Sequence, residues 1–288
     1  MELKIFKTLW GHPGSLDDAI ADCRANGFDG IEGQAPPEAR QEFRDKLPGS
    51  GLEFIAEICT GGSYVPNRKV TVDAHLESLR RQTEFALECD PLFLTVIGGC
   101  DAWPMSMSVL FFEKAVELAN ELGVTMSFET HRSRSLFNPW ITRDILNELP
   151  QLNLTCDFSH WCVVCERLVD TEPEILALCA RHTHHIHARV GYDQGPQVPH
   201  PAAPEFRPAL EAHERWWLQI WQEQIARGMA ASTMTPEFGP DGYLQCEPFT
   251  GKPVADLKEI NIWMAKRERE RFKNRAKEVT LNPLATHH

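Results

Sequence analysis

The sequence predicts a single (β/α)8 barrel, and three observations support this fold class. Short runs rich in strand-forming residues alternate with longer amphipathic stretches, which is typical of parallel strands joined by helices. Eight such runs occur along the chain. The length of 288 residues suits one barrel, which usually takes about 250 residues. The predicted strands comprise residues 3–8, 28–32, 52–58, 92–97, 124–129, 152–157, 184–190 and 232–237.

Helical patterns fill the intervals between these strands. Residues 15–26 form one such pattern with Ser15 as its N-cap, and residues 111–122 form another that ends at Gly123 as a C-cap. An open, doubly wound sheet would alternate in the same way. The turn after the first strand, however, lacks the glycine pattern of a dinucleotide-binding site. The closed barrel is therefore favoured.

No linker or internal repeat divides the chain. We expect one domain across residues 1–288, with the barrel at about 3–251 and a C-terminal helix and tail at 252–288. Residues 266–277 are rich in Arg, Glu and Lys and are interpreted as the solvated face of that helix. The proline-rich loop at 191–208 follows the seventh strand and is typical of an element that covers a substrate.

Composition and charge exclude several classes of function. A formal net charge of −12 opposes binding to nucleic acid. We expect a soluble, unexported protein, because no secretory h-region and no run of the roughly 18 apolar residues of a membrane span is found. Nine cysteines, mostly in apolar surroundings, indicate reduced thiols and a cytoplasmic location. A homo-oligomer is compatible with Trp216, Trp217 and Trp221, whose helical spacing suits packing against the barrel or a neighbouring subunit.

Acidic side chains lie at the carboxyl ends of several predicted strands, where barrel enzymes place their catalytic groups. Glu129 ends the fifth strand, Asp157 the sixth and Glu237 the eighth. The seventh strand carries His185 and His187 on one face, with His187 nearer the mouth. Carboxylates crowded in a partly desolvated mouth repel one another unless a cation neutralises them. We therefore predict one divalent metal ion, with four ligands: Glu129, Asp157, His187 and Glu237.

The donor set narrows the choice of metal. Three oxygens and one nitrogen favour Mn²⁺, with Mg²⁺ or Co²⁺ as alternatives, whereas structural Zn²⁺ sites favour more sulfur and nitrogen, so Zn²⁺ ranks last. Any one of the acids alone is equally well explained as the N-cap of the next helix. Helix capping does not explain why three acids and a histidine lie at four strand ends. His185 lies one pleat deeper and is interpreted as a buried histidine or as a partner of a ligand.

Further residues are expected at the same mouth as substrate contacts. Trp10 and His12 follow the first strand, Glu32 ends the second, and His131 follows the fifth. Trp10 suits either stacking on a sugar ring or packing at the rim of the barrel. His131 and its neighbour Arg132 add positive character, which suits either a carboxylate or phosphate of the substrate or a surface ion pair.

Four segments, SFETHR, CDFSHW, HIHARV and TPEFGP, each contain one of the predicted ligands. In this order, within about residues 3–251, they resemble the sugar phosphate isomerase/epimerase superfamily of xylose isomerase-like barrels. This superfamily includes the ketose 3-epimerases and the AP endonuclease family 2 proteins. The spacing of the acid and the histidine in CDFSHW is the most specific part of the resemblance.

The resemblance implies roles for individual residues. In the ketose 3-epimerases the two glutamates among the ligands also exchange protons with the substrate, which implies that Glu129 and Glu237 are catalytic. The histidine of the CDFSHW segment, His160, inherits a contact with substrate hydroxyls. Arg189 is similar to an arginine that follows the ligand histidine in the epimerases. It lies two residues after His187, however, where the epimerases place theirs further along the chain.

The implied activity is that of a metal-dependent isomerase or epimerase acting on a small carbohydrate. Moving a proton at a carbon next to a carbonyl needs a base, which a carboxylate supplies, and a stabilised enediolate, which a metal supplies. Expulsion of a β-hydroxyl from the same enediolate would instead give a lyase or dehydratase acting on an oxidised (keto) sugar or glycoside. An endonuclease IV-like nuclease is less favoured, because the chain is acidic and offers no clear second ligand set. An intact ligand set also disfavours a non-catalytic barrel.

Overall fold

Eight parallel strands close into a barrel in the computed structural model, which describes the backbone of residues 1–240 and 242–281 and the side chains of 1–240 and 242–274. Each strand pairs with the next along the chain, and the first pairs with the eighth, so no edge is left open. The predicted fold class is confirmed. The strands are β1 (Glu2–Thr8), β2 (Gly30–Gly33), β3 (Glu53–Cys59), β4 (Leu94–Ile97), β5 (Met126–Glu129), β6 (Leu154–Cys156), β7 (Thr183–His187) and β8 (Ala231–Thr235).

Helices follow the strands on the outside of the barrel. The first begins after Ser15, whose side chain accepts from the Asp18 amide and completes a capping box, as predicted. The fourth ends at Gly123 with φ 66, also as predicted, but starts before residue 111. The α-helices are α1 (Leu16–Asn26), α2 (Arg40–Ser50), α3 (Val72–Leu87), α4 (Met105–Leu122), α5 (Pro139–Glu148), α6 (Ser159–Val164), α7 (Pro173–His182), α8 (Arg207–Ala226) and α9 (Leu257–Leu281).

The lower part of the barrel interior is plugged by apolar side chains. Phe6, Ile55 and Phe93 form a separate buried cluster. Gly30 makes room for it, because a Cβ there would lie 2.4 Å from Phe6 Cε1. The ring of His185 meets those of Phe6 and Phe93, with centroids 6.4 and 5.4 Å apart. The polar residues nearer the carboxyl ends of the strands therefore lie above a layer of apolar side chains.

Helix α9 covers the amino-terminal side of β1 and packs against α8. Trp216, Trp217 and Trp221 are 3%, 0% and 1% exposed, so these rings pack inside the chain rather than against a neighbouring subunit. Trp221 meets Phe272 of α9 edge to face at 5.1 Å. Of the predicted C-terminal helix and tail at 252–288, residues 282–288 lie outside the described residues. Within the described chain, no helix is long and apolar enough to cross a membrane.

The loop at 191–208 is tied to the loop that follows β8. The carboxamide of Gln197 accepts from the Gly239 amide at 2.9 Å and donates to the Gly239 carbonyl at 3.3 Å. A second contact lies nearby, where the Gln245 side chain donates to the Tyr192 hydroxyl at 3.2 Å. The two loops thus form one wall beside the mouth of the barrel.

Candidate active site

Four buried side chains converge where β5, β6, β7 and β8 end. One donor atom from each lies within 4.8 Å of the donor atoms of the other three. Their exposed fractions are between 0% and 6%. The structure therefore brings together the group that the sequence predicts as a metal site: Glu129, Asp157, His187 and Glu237.

His187 lies at the centre of this group, which we call the carboxylate cluster. Its Nδ1 is 3.2 Å from Glu129 Oε1 and 3.1 Å from Glu237 Oε2. Its Nε2 faces the opposite way, 3.0 Å from Glu32 Oε1. Burial lowers the pKa of His187, but the charges of Glu237, Glu32 and Glu129 outweigh this and raise it well above its ordinary value. When Nε2 donates to Glu32, the lone pair of Nδ1 is directed at the cluster.

The cluster has the properties of a cation site. Burial raises the pKa of Glu129 to about 7, and the negative charges of Glu237 and Asp157 add to the effect of burial. Glu129 Oε2 is buried and has no hydrogen-bond partner among the described residues. Such an orphaned carboxylate oxygen is costly unless a cation contacts it. Three carboxylates and an imidazole nitrogen match a divalent first-row ion, so the residues fit the predicted metal.

Arg189 binds the rim of the carboxylate cluster. Its Nη2 contacts Asp157 Oδ2 directly and lies 2.7 Å from His160 Nε2. Its Nη1 is 3.4 Å from Glu237 Oε2. Burial alone would lower the pKa of Arg189, but these two acids raise it, so the guanidinium stays charged. The arginine that the sequence predicts as a substrate contact thus neutralises part of the cluster's own charge.

Glu32, a predicted substrate contact, binds the two histidines of β7 in this structure. Its Oε1 accepts from His187 and its Oε2 from His185, each at 3.0 Å. His185 Nδ1 in turn lies 2.8 Å from Thr233 Oγ1. Glu32 pairs with Thr8 and Ile55 across the sheet, and its side chain reaches across the barrel to the two histidines. Glu32 thus contacts both rings, and Glu32, His185 and His187 form a second buried group whose donor atoms lie within 4.8 Å of one another. His185 lies one pleat below His187, as predicted.

Histidines and aromatic rings form the upper wall of the mouth. The rings of His131 and His160 stack with centroids 4.0 Å apart, and both side chains are buried. Tyr243 meets Trp10 edge to face at 4.8 Å, and Trp10 also meets Tyr64 at 5.9 Å. The prediction that Trp10, His131 and His160 lie at the mouth therefore agrees with their placement.

His12 is not brought to the cluster. The chain turns at Gly11, which has φ 75, and the His12 ring contacts the Ser15 carbonyl at 3.3 Å. It lines a surface groove between α1 and the start of α9, together with Asp18 and Lys258. The side chain of His12 thus faces this groove, which Trp10 also lines, and its contact with a substrate stays a prediction.

Glu57 is a mouth residue that the strand-end pattern did not reveal. It lies on β3, is 7% exposed, and accepts from the Gln34 side chain at 2.9 Å. Burial raises its pKa to about 8, and the charges of Glu237, Glu129 and Glu32 add to the shift. Glu57 therefore carries a proton at neutral pH. Alternation along β3 places it on the same face as the inward Ile55, which was the signal that could have identified it.

Arg134 is a second residue that the strand-end pattern did not reveal. It binds the backbone of a loop beside the mouth. Its guanidinium donates to the backbone carbonyls of Thr60, Ser63, Tyr64 and Gly99. Three of these carbonyls belong to the loop between β3 and α3, and this loop carries the ring of Tyr64. Arg134 thus holds in place the loop that carries Tyr64, one of the aromatic rings at the mouth.

Comparison with known proteins gives matches only among solved structures, because no family model and no curated protein matches the chain. An L-ribulose 3-epimerase is 14% identical with a TM-score of 0.65, over 100% of both chains. A probable 3-DHS dehydratase from Bacillus anthracis is 15% identical with a TM-score of 0.58, over 92% of this chain and 98% of that one. Endonuclease IV from Thermus thermophilus is 14% identical with a TM-score of 0.56, over 94% and 99%.

These structural neighbours are enzymes with three different kinds of reaction. At such identities they show a shared fold, and a shared fold does not select one reaction. They do agree with the resemblance carried by the four sequence segments. The chain has the xylose isomerase-like TIM-barrel fold.

Proposed function

We propose that this protein is a metal-dependent isomerase or epimerase that moves a proton at a carbon next to the carbonyl of a sugar. The observation that carries the proposal is the placement of Glu129 and Glu237. They come from β5 and from the segment after β8, and both approach His187 Nδ1, at 3.2 and 3.1 Å. Two carboxylates from different parts of the barrel thus lie beside the same ligand nitrogen, where both could reach one substrate carbon.

The metal would be held by Glu129, Asp157, His187 and Glu237, with Mn²⁺ as the first choice. When bound, it would supply a Lewis acid that polarises the substrate carbonyl and stabilises the enediolate. Glu129 Oε2 is buried and has no hydrogen-bond partner among the described residues, so this oxygen is available to act as a general base. One glutamate would remove the proton, and the other would return one to the opposite face.

The neighbouring residues would bind and orient the substrate. His160 would contact a hydroxyl, and Arg189 would hold Asp157 and Glu237 in place while it faces the aromatic wall. Trp10 and Tyr243 would cover the sugar and exclude water from the reacting carbon. All nine cysteines are unpaired, which supports a reducing compartment such as the cytoplasm.

A lyase or dehydratase is the second candidate, and Glu57 is the observation that favours it. A buried carboxylic acid that is protonated at neutral pH could give its proton to a departing hydroxyl. The fold shared with a probable dehydratase is compatible with this reaction. A nuclease is not favoured, since the net charge of −12 would repel the phosphate backbone.

Solvent exchange separates these reactions. Protein loaded with Mn²⁺ would be incubated in D2O with a panel of ketoses, keto-sugars and sugar acids, and the sugars examined by NMR and mass spectrometry. Deuterium at the carbon next to the carbonyl, without loss of a hydroxyl, is the expected result. An unsaturated product would select the lyase. No exchange with any sugar would overturn the proposal. Glu129→Gln is the inactive control, and Arg143→Gln, in an exposed ion pair on α5, is the active one.

A further inference from the structure

Three arginines lie around the mouth, and Arg132 differs from the other two. Arg189 is bound to Asp157 and Glu237, and Arg134 to backbone carbonyls. Arg132 is half-buried, and its guanidinium lies 4.7 Å from the ring centre of Tyr243. Among the described residues it has no carboxylate or carbonyl partner. The surface ion pair that its sequence context suggested is therefore not formed there.

The contact with Tyr243 leaves the donors of Arg132 available. Stacking uses the flat face of a guanidinium, whereas its N–H groups point outward from the edge. These donors form a planar fork that matches the two oxygens of a carboxylate or the oxygens of a phosphate. Arg132 is thus held in position without its hydrogen-bonding capacity being used.

Arg132 lies close to the carboxylate cluster. It follows Glu129 by three residues. The ring of Tyr243 that it covers also contacts the guanidinium of Arg189 at 4.7 Å, and Arg189 binds Asp157. Tyr243 therefore connects the unpaired arginine to the site where the substrate would react.

The guanidinium groups around Tyr243 differ in their partners. Arg189 contacts the same ring but is bound to Asp157 and Glu237. The N–H groups of Arg132 have no such acid among the described residues, so this point of the mouth favours an anion. The chain as a whole is acidic, so this is a small positive site and not a basic surface for nucleic acid.

We propose that Arg132, stacked on Tyr243, binds an anionic group of the substrate. The proposal rests on the proposed function and narrows it, from sugars in general to sugars that carry a carboxylate or a phosphate. The anion would lie at the rim, with the remainder of the sugar extending toward the carboxylate cluster. A neutral ketose would leave Arg132 unused.

Binding of matched sugars tests the proposal without relying on turnover. Calorimetry on Mn²⁺-loaded protein would compare glucuronate and glucose 6-phosphate with glucose, and fructose 6-phosphate with fructose. Inorganic phosphate and acetate would serve as simple anions. Comparing glucuronate with the sugar phosphates shows whether the site prefers a carboxylate or a phosphate. A charge-assisted fork should favour the anionic sugar by about tenfold or more.

Three variants show whether Arg132 causes a preference for anionic over neutral sugars. Arg132→Gln should reduce the preference to about twofold or less, and Arg132→Lys should retain part of it, because lysine keeps the charge but loses the fork. Arg143→Gln is the matched control, since Arg143 pairs with Asp144 on the exposed side of α5. It should bind as the wild type does. Repeating the titrations without metal shows whether phosphate binds Arg132 or the ion.

The outcomes separate this proposal from the proposed function. No preference for any anionic probe, or a preference that survives in Arg132→Gln, overturns the anion site. Deuterium exchange into neutral sugars at a rate unchanged by Arg132→Gln also overturns it, while the isomerase proposal stands. A preference lost in Arg132→Gln, with no exchange into any sugar, leaves the anion site in place and removes the isomerase.

Discussion

Glu32 Oε1 lies 3.0 Å from His187 Nε2, on the side of the ring that faces away from Glu129 and Glu237. This contact determines which ring nitrogen faces the carboxylate cluster. With its proton on Nε2, the ring offers the lone pair of Nδ1 to a metal. Glu32 on β2 thereby orients the ring of His187, the predicted metal ligand on β7.

We predict that Glu32→Gln weakens metal binding by about 10-fold to 100-fold, the range found when a partner of a ligand histidine is replaced. The amide has nearly the same shape but no charge, so it holds the protonated Nε2 less firmly. Competition titration with a fluorescent chelator would measure the affinity for Mn²⁺. An affinity equal to that of the wild type would show that Glu32 does not position the ligand.

Glu129→Gln and Glu237→Gln should each abolish turnover and leave the fold largely intact. Each substitution preserves volume while removing a proton acceptor, and loss of general base catalysis costs about 10²-fold to 10⁴-fold in rate. Metal affinity should fall as well. Exchange rates at saturating Mn²⁺ and circular dichroism would be compared with the wild type. A variant that keeps near-normal exchange would exclude its residue from proton transfer.

Glu57→Gln should leave Mn²⁺ affinity within about twofold of the wild type, because Glu57 is protonated at neutral pH and an amide replaces a neutral acid. Its pKa of about 8 exceeds the ordinary 4.5. Between these values the native state holds a proton that the unfolded chain releases. Stability from this group is therefore present below pH 4.5 and is lost as the pH rises to 8.

The metal-free Glu57→Gln protein should consequently gain stability relative to the wild type as the pH rises from about 6 to about 9. Urea unfolding at both pH values would measure the difference. A constant difference across this range would show that Glu57 is ionised in the native state.

Arg134→Met should destabilise the protein by about 2–4 kcal/mol, because several buried carbonyl groups lose their donor. The loop that carries Tyr64 should loosen first. Hydrogen exchange would locate the change, and urea unfolding would measure the free energy. Arg143→Met, on the exposed side of α5, is the control. Equal stability of the two variants would contradict the role assigned to Arg134.

The sequence predicts the barrel and the four groups of the carboxylate cluster, because strand period and strand ends are local properties. The depth of Glu32 depends on the stagger between β2 and β7, which no local pattern contains. The direction of the His12 side chain depends on the turn at Gly11, with φ 75, which the residue types alone do not specify. Glu57 lies one pleat below the end of β3, so a pattern of acids at strand ends does not include it.

If the carboxylate cluster holds a divalent metal, replacing the two histidines of β7 should affect metal binding to very different extents. Metal content after dialysis against Mn²⁺-free buffer would be measured for the wild type, His187→Ala and His185→Ala, together with thermal unfolding with and without Mn²⁺. We predict about one ion per chain in the wild type, most of it retained in His185→Ala, and very little in His187→Ala. Retention in His187→Ala with loss in His185→Ala, or no metal in the wild type, would contradict the account.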